Sequence, residues 1–165
     1  MHPIAKLLIT VLIEEKKAEI VRTEVARQVS IKDTQEAEGA MISRYDTFLE
    51  EAQYLAGGQN KRLLEAKAVV ISLEALLQND ACVSSSTFVG SLVTIENMRG
   101  SETRKFLLMF DGAGGSIFPS PENENEKITA LSVSSPLGKE LFRKEVGAEI
   151  ESPILPGAWE ITEIQ

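Results

Sequence analysis

The chain has 165 residues, 43% of them hydrophobic, and a formal net charge of −8. That apolar share supports a packed core in one or two small domains and argues against global disorder. The acid excess argues against a duplex-DNA binder, because such affinity rests on neutralising phosphates. One cysteine, Cys82, and one histidine, His2, exclude an internal disulfide, fit a cytoplasmic setting, and leave neither a self-contained zinc site nor a histidine-based triad with its parts.

The chain opens on "IAKLLITVLI", residues 4–13. This run is too short to span a membrane, contains Lys6 and precedes no small-residue cleavage site, so it reads as the apolar first turns of an amphipathic helix. No glycine occurs before Gly39, and the first proline, Pro3, stands where a helix can begin. Ile4, Leu7, Val11, Ala18, Val21 and Val25 fall on a and d positions of a heptad, with Glu14 and Gln28 as polar breaks. Apolar residues left over in 4–13 could pair with another chain, so the expectation is a monomer or a weak homo-oligomer.

A second helix repeats the pattern through Leu49, Ala52, Ala56, Leu63, Ala66, Val70, Leu73 and Leu77, with Gln59 as its break. Two such stripes joined by a polar turn describe an antiparallel coiled-coil hairpin over residues 1–80, each arm roughly 40–50 Å long. Asp46 or Thr47 can cap the second helix. Gly57 and Gly58 cost about 1 kcal/mol each inside it. Close helix approach or a kink would explain them, and the unbroken heptad phase favours a continuous helix. Lys61, Arg62 and Lys67 read as a solvated face, with RNA contact as the alternative.

From residue 81 to 165 the texture changes to short β segments. "STFVGSLVTIEN", "TRKFLLMFDG", "KITALSVSS", "AEIESPIL" and "GAWEITEIQ" read as strands of a small antiparallel sheet. "PLGKELFRKEVG" reads as one short helix, with Ser134 or Ser135 as cap, Pro136 at its first position and Gly147 after its end. The glycines of 112–115 lack the Lys-Ser/Thr of a phosphate-binding loop. Trp159 reads as sheet packing.

This half resembles the C-terminal domain of the bacterial Gre transcript-cleavage factors. The resemblance rests on Ser135-Pro136, Leu141, Lys144, Val146 and Gly147, with "VGSLVTIEN" similar to the opening strand. Arg143 stands where the family has glycine. In the first half "EEAQYLAGGQ" resembles the start of the second Gre coiled-coil helix: Glu50, Ala52 and Tyr54 match, and Glu51 and Gln53 differ. The resemblance covers nearly the whole chain. It implies an α+β protein, a coiled-coil hairpin followed by an FKBP-like domain, and an accessory factor rather than an enzyme. It further implies that bacterial RNA polymerase is the partner, with nascent RNA and DNA met only indirectly. The sheet domain would dock at the secondary channel through Ser135, Pro136 and Leu137, and the coiled coil would enter. Acids at its tip would help hold a Mg²⁺ shared with the polymerase active site while water attacks backtracked RNA; no cofactor of its own is implied.

Residues 33–51 hold six acids against one base, Arg44, a local balance of −5 that makes up most of the net charge. Aligned on the family pattern, Glu50 takes the second functional acid and Thr47 the place of the first, with Asp46 one residue earlier; Glu51 is a further candidate. Asp46 and Glu50 would share a helix face at i and i+4. Helix-starting chemistry alone also explains these residues, because Thr47-x-x-Glu50 is a capping box and acids favour a first turn. Two other outcomes stay open. One is a channel-binding inhibitor that stimulates no cleavage. The other is an FKBP-like isomerase or chaperone, whose pocket would draw on Phe88, Phe106, Phe110, Phe118, Phe142 and Trp159.

Overall fold

The computed structural model describes residues 1–36, 45–78, 85–100, 102–123, 125–152 and 154–165, with side chains described outside 30–53, 55 and 56. Two helices come first, α1 (Pro3–Glu36) and α2 (Tyr45–Gln78), followed by β1 (Leu92–Asn97), β2 (Thr103–Met109), β3 (Ile117–Pro119), β4 (Lys127–Ser132), α3 (Pro136–Leu141), β5 (Glu149–Ser152) and β6 (Leu155–Ile164). The fold is α+β, a helical hairpin and a sheet with one short helix. Among the described residues no helix is long and apolar enough to cross a membrane.

The chain divides into two compact units, Ile13–Ser72 and Met1–Leu12 with Leu73–Gln165. The start of α1 and the end of α2 therefore lie in one unit, so the two helices run antiparallel. Each has 34 residues, about 50 Å of helix. The expected domain boundary at 79–81 and the connection at 37–44 lie outside the described residues.

In α2 the expected stripe is the buried one: Leu63, Val70 and Leu73 are buried and Ala66, Leu77 and Gln59 half-buried, while the side chains of Leu49, Ala52 and Ala56 lie outside the description. The helix runs unbroken through Gly57 and Gly58. A Cβ added at either glycine would meet nothing within 4 Å, so close approach of another helix does not account for them.

In α1 the expected stripe is wrong. Leu7, Val11, Val21 and Val25 are exposed, and the buried positions are Ala5, Leu8, Ile9, Leu12 and Ile13. The apolar run 4–13 is thus mostly spent on the core rather than left over. Further along, the half-buried positions that continue this face are Lys16, Ile20, Thr23, Glu24 and Arg27. The inner face turns polar, and the longer valine stripe that a heptad count follows points outward.

The sheet has strand order β3-β4-β2-β1-β6-β5. It is mixed rather than purely antiparallel: β2 and β4 pair in parallel, with Phe106 beside Thr129 and Leu107 beside Ala130. A parallel neighbour needs a crossover, and residues 110–126 supply it, including the unexpected strand β3, which pairs antiparallel with β4. On one sheet face Val93, Ile95, Phe106, Leu108, Ile150, Trp159 and Ile161 form a core with Leu137 and Leu141 of α3. Trp159 lies in it as expected; its indole Nε1 donates to Pro156 O at 3.2 Å, and the Arg104 guanidinium lies 5.2 Å from the ring centre. Leu92, Leu107 and Met109 alternate with that set and are buried as well. At Gly90 (φ 94°) an added Cβ would come within 3.3 Å of Met1 and 3.5 Å of Leu76, so both helix ends reach this strand entry.

Candidate functional site

The residues that carry the Ser-Pro motif converge on the start of α3. Ser135 is the N-cap: its Oγ accepts from Gly138 N at 3.0 Å and donates to Ser132 O at 2.6 Å. Pro136 occupies the first helical position, where its missing N–H costs nothing. Between the two alternatives for the cap, Ser135 takes the role and Ser134 is freed for another. Ser134 Oγ and Ser132 Oγ both donate to Asp111 Oδ1, and the two hydroxyls lie 2.9 Å apart. These hydroxyl donors, Ser132 foremost and then Ser134, hold the exposed Asp111 carboxyl below the usual carboxylate range, and the Lys139 ammonium adds attraction.

Two glycines make this cluster possible. A Cβ on Gly138 would fall 1.9 Å from Ser132 O, and one on Gly114 2.7 Å from Ser132 N. The glycine cluster at 112–115 therefore folds against the end of β4 and brings Asp111 to α3. Ser134, Pro136 and Asp111 are exposed along one edge, whereas Leu137 is buried in the sheet core. Of the three residues expected to dock, Pro136 is presented outward, Ser135 is half-buried as the cap, and Leu137 is committed to packing. Asp111 and Ser132 escaped the sequence reading because they sit 21 residues apart and only the crossover joins them.

The end of α3 is closed by Thr87. Its buried Oγ1 donates to Leu141 O and accepts from Lys144 N at 3.1 Å, while Arg143 N donates to Thr87 O at 3.0 Å and Thr87 N to Lys144 O at 2.8 Å. The helix ends at Leu141, well before Gly147. Arg143, the departure from the family pattern, adopts φ 64°, the only positive φ at a non-glycine among the described residues. The backbone there has the left-handed conformation that glycine suits, and arginine holds it regardless.

At the other candidate site, α2 begins at Tyr45, slightly before the expected cap. Asp46, Thr47 and Glu50 are all within it, and Asp46 and Glu50 stand at i and i+4 of one helix. About 35 Å of helix separates Glu50 from Leu73. The side chains of Tyr45, Asp46, Phe48, Glu50 and Glu51 lie outside the description. Lys61, Arg62 and Lys67 are exposed. Among the described residues no group of three or more His, Cys, Asp or Glu is placed to hold a metal ion. His2 is occupied at the start of α1, where its Nδ1 accepts from Ile4 N at 3.4 Å. Of the aromatic set an isomerase would need, Phe106, Phe118 and Trp159 are buried and Phe88, Phe110 and Phe142 half-buried.

The architecture comprises two long antiparallel helices and a small mixed sheet with a Ser-Pro-capped helix. No family model matches the chain, and no curated protein does. Among solved structures it is similar to GreA factor homolog 1 (Gfh1) of Thermus thermophilus, at 18% identity over 93% of this chain and 94% of that one, with a TM-score of 0.40. It is similar to Thermus aquaticus Gfh1 at 20% identity over 92% of each chain, TM-score 0.38. A GreA/GreB elongation factor from Nitrosomonas europaea matches at 22% identity over 58% of this chain and 78% of its own, TM-score 0.38.

Proposed function

We propose that the chain is a Gre-like factor that acts on bacterial RNA polymerase through its secondary channel and stimulates the polymerase's own cleavage of backtracked RNA. The observation that carries this reading is the pair Asp46 and Glu50. They stand at i and i+4 at the start of α2, in a segment that holds six acids against one base, and about 35 Å of helix from Leu73. The motif resemblance in the sheet domain supplies the partner.

In this reading the protein is an accessory factor, not an enzyme. Asp46 and Glu50 would add oxygen ligands to a Mg²⁺ held mainly by the polymerase, with Glu51 as a further candidate. That ion, when bound, polarises water and stabilises the leaving oxygen. The edge formed by Asp111, Ser134 and Pro136 is the docking candidate; Ser135 supports it as cap, and Leu137 anchors it in the core. Lys61 and Arg62 would track RNA along the arm. The test is a backtracked elongation complex: the wild type shortens the transcript, whereas Asp46→Ala and Glu50→Ala each bind the polymerase without shortening it. A protein that is not recovered with polymerase in a pull-down removes the reading altogether.

A second reading, a channel-binding inhibitor, is favoured by one observation. The family's acids are three residues apart, and here that spacing puts Thr47, not an acid, before Glu50. An inhibitor would lower transcript yield from a promoter template and release no RNA fragments.

A further inference from the structure

The glycine pair of α2 has no packing role and no part in either reading above. Gly57 and Gly58 are exposed, and a Cβ on either would meet nothing within 4 Å. They open the run "GGQNKR", residues 57–62, which holds no apolar side chain over nearly two helical turns, about 9 Å. The next residue, Leu63, is buried, and toward the base of the arm Val70 and Leu73 are buried too.

The other helix offers this run little to pack on. α1 and α2 are antiparallel and equal in length, so residues whose numbers sum to about 81 stand level. That sets 57–62 level with 19–24, where Val21 is exposed and Ile20 only half-buried, the other four being polar. From residue 14 to residue 29 α1 buries no side chain. One turn nearer the tip, Arg27 has its Nε buried without a hydrogen-bond partner among the described residues, which penalises the closed arm.

We propose that residues 57–62 are a hinge at which α2 opens locally, so that the part of the helix ahead of them changes direction as a unit. A helix in a protein is held chiefly by the apolar face it packs on a neighbour. Along this run that face is missing, and the two glycines, poor helix formers, remove the support of intrinsic propensity as well. Both deficits fall on the same two turns, with buried residues resuming at Leu63. Glycine pairs are also where helices bend sharply. The hinge itself needs no partner. Its use rests on the reading above: Asp46 and Glu50 lie about three and two turns ahead of Gly57 on α2, so opening at the run re-aims the acid pair.

Native-state amide hydrogen exchange of the full chain, without polymerase, tests the hinge separately from the function. The amides of 58–62 are expected to exchange about 100-fold faster than those of 70–77, and also faster than those of 50–56, so that protection passes through a minimum at the run. Gly57→Ala with Gly58→Ala is expected to slow exchange at 58–62 about tenfold and to leave 70–77 unchanged. Protection that rises steadily from the start of α2 to Leu63 would mean fraying from the helix end and overturns the proposal. Protection at 58–62 equal to that at 70–77 overturns it too, as does an alanine pair that leaves exchange at the run unchanged.

Discussion

Arg143 concentrates a conflict in one residue. Its φ of 64° places a Cβ in the left-handed region, where L-residues lose roughly 1–2 kcal/mol. The sequence marked the position only as a departure from the family's glycine; the backbone explains why glycine belongs there. Arg143→Gly is expected to raise the unfolding free energy, read from denaturant titration, by an amount on the order of 1 kcal/mol, after the added unfolded-state entropy is offset. Thr87 is the opposite case. Nothing in "SSSTF" distinguishes it, yet its buried hydroxyl and backbone hold the end of α3. Thr87→Val keeps the shape and removes the hydroxyl, leaving Leu141 O and Lys144 N only their long mutual bond of 3.3 Å, at a cost of about 0.5–1.5 kcal/mol in equilibrium unfolding. Asp111 makes a pH-dependent contribution. Its carboxyl is held below the ordinary range by the Ser132 and Ser134 hydroxyls, so the ionised form is the one the fold favours. The stabilisation is present above the unfolded carboxylate range, about 3.9, and is lost as pH falls through the lower folded value. Thermal melts of wild type and Asp111→Asn should therefore differ at neutral pH and converge in strong acid.

At the scale of elements, legibility followed periodicity and its limits. The stripe of α2 could be read directly because its apolar residues lie on one face. In α1 there are two apolar faces, and the heptad count took the longer, which is the exposed one. Burial is decided by what packs against the helix, and Ala5, Leu8, Ile9, Leu12 and Ile13 win through local density although their face later turns to Lys16, Thr23 and Arg27. Strands β1, β2, β4, β5 and β6 carried β-branched and aliphatic runs long enough to recognise. Strand β3 has three residues, one a proline, and offers no period at all. The parallel β2–β4 pairing depends on a crossover that no local pattern encodes. Gly57 and Gly58 remain a clear test of helix energetics. They sit exposed in α2 with open space where a Cβ would go, so each change to alanine should stabilise by about 0.5–1 kcal/mol, read as a shift in the thermal midpoint.

Across the whole molecule, the order of the parts was legible before their contacts were: a helical half whose first 38 residues hold no glycine, then a β half with a Ser-Pro-capped helix. Sequence placed Ser135, Pro136 and Leu137 together, but burial divided their tasks, and Asp111 joined the edge only through the folded crossover. Asp46 and Glu50 both fall within α2, four residues apart. What the pair does depends on a partner, and that is where the account is most exposed. The most direct measurement is a time course of transcript length in a stalled, backtracked RNA polymerase complex, with the protein present at a concentration that saturates binding. The account predicts that the wild type shortens the RNA from its 3′ end, and that Glu50→Ala binds equally well and leaves it intact. Full-length RNA persisting beside bound wild-type protein would contradict it.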